Sequence, residues 1–140
     1  MIILDTNVIS EIMRMAPDQQ VIGWLRNQLP GQIYTTAIAE TELLKGIELM
    51  PSGKRQQALL KTVEAYLKRD LANRILPFDS AAAHYFASIF AQRKSKGRPI
   101  TPLDTQIAAI VRSHNATLAT RNTRDFIDCG IQLINPWHAK

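Results

Sequence analysis

Short apolar or β-branched runs alternate along this chain with longer stretches patterned at helical spacing, and this alternation restricts the fold more than any other feature. Ile2-Ile3-Leu4 is a fully apolar run of the kind found in a parallel strand buried on both faces. A helix is expected over 6–14, and Pro17-Asp18 opens another through 28 that buries Val21, Trp24 and Leu25. Pro30-Gly31 breaks the chain before a second strand at 32–35 and a helix over 37–50. Pro51-Ser52-Gly53 then precedes an amphipathic helix over 54–71, with the stripe Leu59, Leu60, Val63, Tyr66, Leu67 and Leu71. A third strand is expected at 74–78, then a helix over 80–95 capped by Asp79 or Ser80, and another over 102–114. A strand at 116–120, a helical turn at 123–127 and a strand at 131–134 complete the series. Strands that alternate with helices predict an α/β sandwich around a mostly parallel sheet.

Composition narrows the function classes. The 140 residues are enough for one domain, 1–140, with a sizeable core. With 46% hydrophobic and 21% charged residues the chain is neither disordered nor membranous, and no apolar run approaches the ~18 residues of a membrane span. The opening MIILDTN has neither a basic n-region nor a cleavage site, so no signal peptide is expected. Cys129 is the one cysteine, which excludes a disulfide framework and a cysteine-based zinc site. A cytoplasmic protein is expected. The net charge of +5 points to a polyanionic partner, nucleic acid being the simplest. Arg93, Lys94, Lys96 and Arg98 cluster just before Asp104, and Lys61, Lys68, Arg69 and Arg74 form a second group; either group also fits a solvated helix face.

Four acidic or amide residues stand where folding alone gives little reason for them. Asp5 follows the first strand, at the sheet edge where open α/β sheets bind ligands, although an Asp there also suits a helix cap. Glu42 lies at the margin of the apolar arc Ala39, Leu43, Ile47 and Met50, and can equally be an edge residue whose head reaches water. Asp104 shares a face with Ile107, Ala108 and Val111, while Thr101-Pro102-Leu103-Asp104 also fits a capping box. Asn122 follows the fourth strand and can cap the turn after it, with Asp125 as the acid of that turn. Thr6 and Asn7 can orient the Asp5 carboxylate or serve as further cap groups. Oxygen ligands gathered for a hard divalent cation would explain all four positions together and imply metal-dependent phosphoryl-transfer chemistry.

The blocks LDTNVISE, AIAETELLKG, TPLDTQIAA and LATRNTRDF, in this order and spacing, resemble the signature blocks of the PIN-domain nucleases, and particularly the FitB-like branch of the VapC-type toxins. The similarity runs from the first strand to the INPWH tail. It implies a three-layer α/β/α sandwich with sheet order 3-2-1-4-5 and an Mg²⁺- or Mn²⁺-dependent endoribonuclease. It also implies a homodimer held in a toxin–antitoxin hetero-oligomer by a small antitoxin protein. Asp5, Glu42 and Asp104 match the three acidic positions. Asn122 stands where many members carry a fourth acid, a departure that removes a charge and leaves open whether one ion or two are held; Asp125 is placed to compensate. Glu11 matches a recurrent position with an expected structural role.

On this reading Asp5 and Asp104 ligate the ion directly and Glu42 does so directly or through water, with Asn122 as the fourth member of the site. Arg93, Lys94, Lys96 and Arg98 hold the RNA backbone, and Arg121 and Arg124 contact the phosphate near the cut. The alternative is a catalytically silent PIN-like module that binds nucleic acid or a protein partner. A haloacid-dehalogenase-type phosphatase also begins with an Asp after strand one, but it carries a second Asp where this chain has Asn7. His84, His114 and His138 lack zinc spacing, and Trp24 and Tyr66 are expected in the core or an interface.

Overall fold

The structure, a computed structural model, describes residues 1–139; Lys140, the last residue of the expected domain, lies outside them. Its strands are β1 (Ile2–Leu4), β2 (Ile33–Thr36), β3 (Ile75–Leu76), β4 (Thr117–Ala119) and β5 (Gln132–Ile134). Its helices are α1 (Thr6–Ile12), α2 (Gln19–Arg26), α3 (Ala37–Glu48), α4 (Lys54–Ala65), α5 (Ser80–Ser95) and α6 (Pro102–Ser113). The strands form one parallel sheet in the order β3-β2-β1-β4-β5, as the resemblance implied.

Successive strand residues point to opposite faces, and both faces are covered. Ile3 and Leu118 join Ile89 of α5 and Ile107, Ala108 and Val111 of α6 in one core. Their neighbours Leu4 and Ala119 join Val8 and Ile9 of α1, Val21 and Trp24 of α2, and Leu43, Ile47 and Val63 of α3 and α4 in the other. This division explains why β1 reads as a continuous apolar run. The chain steps outward from β1 to β3 with α1–α4 on one face, then returns to β4 with α5 and α6 on the other, as right-handed crossovers require. The order therefore reverses between β1 and β4, and the carboxyl ends of these strands flank the crevice where such sheets bind ligands.

Helix starts follow local chemistry. Asp18 accepts from the Gln20 N–H at 2.8 Å, Thr36 from Ala39 at 3.0 Å, and Asp79 from Ala82 at 3.0 Å. Two expected elements differ. The helix expected over 54–71 ends at Ala65 and continues as a wider turn over Tyr66–Asp70, where the Leu71 N–H reaches the Tyr66 carbonyl at 3.0 Å. The strand expected at 74–78 is confined to Ile75–Leu76, because its one neighbour, β2, ends at Thr36 and the chain turns into α3 at Ala37. No helix among the described residues is long and apolar enough to cross a membrane.

Candidate active site

The carboxyl end of β1 delivers Asp5 into the reversal between β1 and β4. Its N–H continues the ladder by donating to the Ala119 carbonyl at 2.9 Å. Its side chain, only 6% exposed, is held from two elements. Oδ1 accepts the Thr6 N–H at 2.8 Å, so Asp5 does cap α1. Oδ2 accepts the hydroxyl of Thr120, just past β4, at 2.7 Å and a longer contact from Asn7 Nδ2 at 3.4 Å. The cap and the inward carboxylate are the same group.

Glu42 projects from the middle of α3, half-buried, and its Oε1 accepts the Thr6 hydroxyl at 2.9 Å. That bond directs the carboxylate toward the α1 N-terminus rather than outward along α3. Asp104 sits in the first turn of α6, also half-buried, where Thr101 caps the helix by accepting the Asp104 N–H at 3.2 Å and Pro102 occupies the first turn. Here too the capping motif and the inward acid coexist, because a helix N-terminus favours an anion.

The acids feel one another. Burial pushes the Asp5 carboxyl up to about 6; hydrogen bonds from Thr120 and Thr6 oppose the rise, and the charges of Asp104 and Glu42 add to it. Asp104 is likewise raised, first by burial, against a hydrogen bond from Thr101, with Asp125 and Glu42 adding and Arg93 opposing. None of the ion pairs among the described residues involves Asp5, Glu42 or Asp104. Among those residues no three acidic, His or Cys side chains converge closely enough to hold an ion by themselves. The donor set nevertheless fits a small hard cation: hard oxygens outside any ion pair among the described residues, and Mg²⁺ usually takes one or two carboxylates and fills its remaining positions with water.

The other expected site residues divide. Asn122 is exposed; its N–H donates to Thr120 Oγ1 at 3.1 Å, and its side chain makes no cap bond to the turn Thr123–Phe126. Asp125 lies near enough to Asp104 to raise it. Arg93 requires a correction. It is 6% exposed, and its guanidinium donates to the carbonyls of Arg98 at 2.7 Å and of Asp125 and Ile127 at 2.9 Å each. With its donors committed to the backbone it is a clasp between the loop after α5 and the segment after β4, not a free contact for RNA. Lys96 and Arg98 pair with Asp128 at 3.6 and 3.5 Å, while Lys94 and Arg124 are exposed and unpaired among the described residues. Arg121 lies over the Trp137 ring at 4.9 Å. Glu11 is buried and accepts from Arg14 at 3.0 Å and from the Asp18 N–H at 2.9 Å, the structural role expected of it. The three histidines are exposed and Trp24 is in the core. Thr120 carries no signal in the sequence, because a threonine closing a strand is ordinary and only the spatial neighbour Asp5 gives it significance.

Residues 2–130 match the family described as PIN domain. The chain belongs to the PIN-domain family. This PIN domain is 41% identical to a VapC ribonuclease, Y4jK, of Sinorhizobium fredii, over 98% of both chains. It is 39% identical to Toxin FitB of Neisseria gonorrhoeae, over 99% of each. Among solved structures, FitAB bound to an IR36 DNA fragment superposes with a TM-score of 0.94 at 38% identity, over 100% of this chain and 98% of that one.

Proposed function

We propose that this PIN domain is a metal-dependent endoribonuclease, the toxin of a toxin–antitoxin pair. The observation that carries the reading is the set of carboxylates Asp5, Glu42 and Asp104 gathered at the strand reversal, none of them in an ion pair among the described residues, with Asp5 and Asp104 both raised, first by burial and then by neighbouring acids. The similarity to a relative named as a ribonuclease and another named as a toxin supports it. Asp5 and Asp104 are the direct ligands, and Glu42 acts directly or through water. Mg²⁺ or Mn²⁺ bound there would polarise the scissile phosphate and lower the pKa of a water. Thr6 holds Glu42, and Thr120 and Thr6 hold Asp5, so the carboxylates are oriented before substrate arrives. Lys94, Lys96, Arg98, Arg121 and Arg124 attract the RNA backbone. Attack by water on the phosphorus leaves 5′-phosphate and 3′-hydroxyl ends.

The partner is an antitoxin protein, a reading supported by the likeness to FitAB, and the action is cytoplasmic. A homodimer is supported by α5, which exposes Tyr85 and Phe90, the latter ring stacked on Phe86 with 6.0 Å between centroids.

The test is cleavage of a total RNA pool with Mg²⁺ or Mn²⁺, with end mapping, for wild type, Asp5→Ala and Asp104→Asn. Cleavage by wild type alone, abolished by EDTA, is expected, and metal-free Asp104→Asn should melt no lower than wild type. Neutral Asn122 favours the silent binding module as the second reading; RNA binding that survives EDTA without cleavage would establish it in place of the nuclease.

A further inference from the structure

Thr120 is completely buried and has one proton and two lone pairs to satisfy. Three groups surround its hydroxyl: Asp5 Oδ2 at 2.7 Å, the Asn122 N–H at 3.1 Å and Asn7 Nδ2 at 3.3 Å. The direction of each bond is fixed by the backbone. The Asn122 N–H can only donate. Asn7 must turn its amide nitrogen toward Thr120, because its Oδ1 accepts the Arg121 N–H at 3.1 Å. Both lone pairs of the hydroxyl are thereby filled by donors, and its proton has one acceptor left, Asp5 Oδ2.

We propose that Thr120 is a positioning residue for cation binding: through this fully committed hydroxyl, the backbone leaving β4 fixes the Asp5 carboxylate in a single orientation. The inference rests on the metal-dependent reading of the site and deepens it. Thr6 N–H holds Asp5 Oδ1, and Thr120 with a longer contact from Asn7 holds Oδ2, so Oδ1 keeps a lone pair for a ligand bond. Two consecutive N–H groups, of Arg121 and Asn122, are tied into the same network, so the loop carrying Asn122 and the carboxylate of Asp5 move as one unit. A bound cation then meets an acid whose rotamer is already selected.

Thr120→Val keeps the shape and removes the hydroxyl, leaving the Asn122 N–H without its acceptor and Asp5 Oδ2 with only the longer contact from Asn7. Groups that orient metal ligands typically contribute about ten- to hundredfold in affinity. Isothermal titration of the full chain with Mn²⁺, without RNA, should show a loss of that size in Thr120→Val and recovery of most of it in Thr120→Ser. Thr120→Ala, which removes the same hydroxyl, carries the same expectation if the valine variant does not fold. A hydroxyl-less variant that melts lower but binds Mn²⁺ as tightly as wild type overturns the inference and leaves the metal site intact. Failure of wild type itself to bind Mn²⁺ overturns both.

Discussion

Asp5 combines two demands that usually fall on different side chains. Its Oδ1 caps α1, and its carboxylate is buried among other acids with a pKa of about 6 instead of the ordinary 3.8. A raised carboxyl binds its proton more tightly in the folded chain than in the unfolded one. Its contribution to stability is therefore complete below pH 3.8 and is lost as pH rises through about 6. The shift corresponds to about 3 kcal/mol. In EDTA, urea unfolding of the wild type should show this loss between pH 4 and 7, and Asp5→Asn should flatten the profile over that window. Parallel profiles for the two proteins would show that the Asp5 carboxylate is not under this strain. Cation binding should offset the loss, because it replaces the proton as the partner of the carboxylate.

At the scale of elements, the segment between α5 and α6 is joined to the segment after β4 by Arg93. One guanidinium serves three carbonyls and also lies 3.5 Å from Cys129 Sγ. Removing a buried charged donor leaves these acceptors unpaired, at about 1.5–3 kcal/mol. Arg93→Gln should lower stability by about that amount in denaturant melts, and any effect on RNA should follow from the lost fold. Lys94, its exposed neighbour, should behave in the opposite way. The wide turn at Tyr66–Asp70 and the shortened β3 belong to this scale too. A period of hydrophobic residues does not reveal an extra residue in a helical turn, since Val63, Leu67 and Leu71 remain buried through it. β3 is short for a tertiary reason: β2, the strand beside it, gives way to α3 at Ala37.

Across the whole molecule, the excess positive charge of +5 coexists with an acidic pocket. The basic side chains would hold a polyanion while the carboxylates reject it until a cation intervenes. Binding to single-stranded RNA should therefore weaken steeply with salt. Lys94→Ala and Arg124→Ala should each reduce the slope of log K against log salt by about 0.7, the value for one phosphate contact on a single strand, with unchanged melting temperature. Filter binding across a salt series measures the slope, and an unchanged slope in both variants would place the RNA elsewhere. The pairing of Lys96 and Arg98 with Asp128 dilutes their charge, so their substitution should change the slope less.

The order of elements, the identity of most helix caps, and the placement of Asp5 after a strand and of Glu42 and Asp104 on helices were legible in the sequence, because each depends on neighbours within one or two helical turns. Asp79 and Thr101 cap the helices they precede, and Ile2–Leu4 reads as a buried strand, for local reasons. What only the tertiary structure decided is which side chains meet. Arg93 belongs to a basic run by sequence, yet it is buried against carbonyls 32 and 34 residues away. Thr120 acquires its role from Asp5, 115 residues earlier, because β1 and β4 are adjacent in the sheet. Side-chain type and spacing set what each residue can do. The pairing of distant strands sets the partner, since a hydrogen bond or a carboxylate's repulsion acts over a few ångströms of space whatever the distance along the chain.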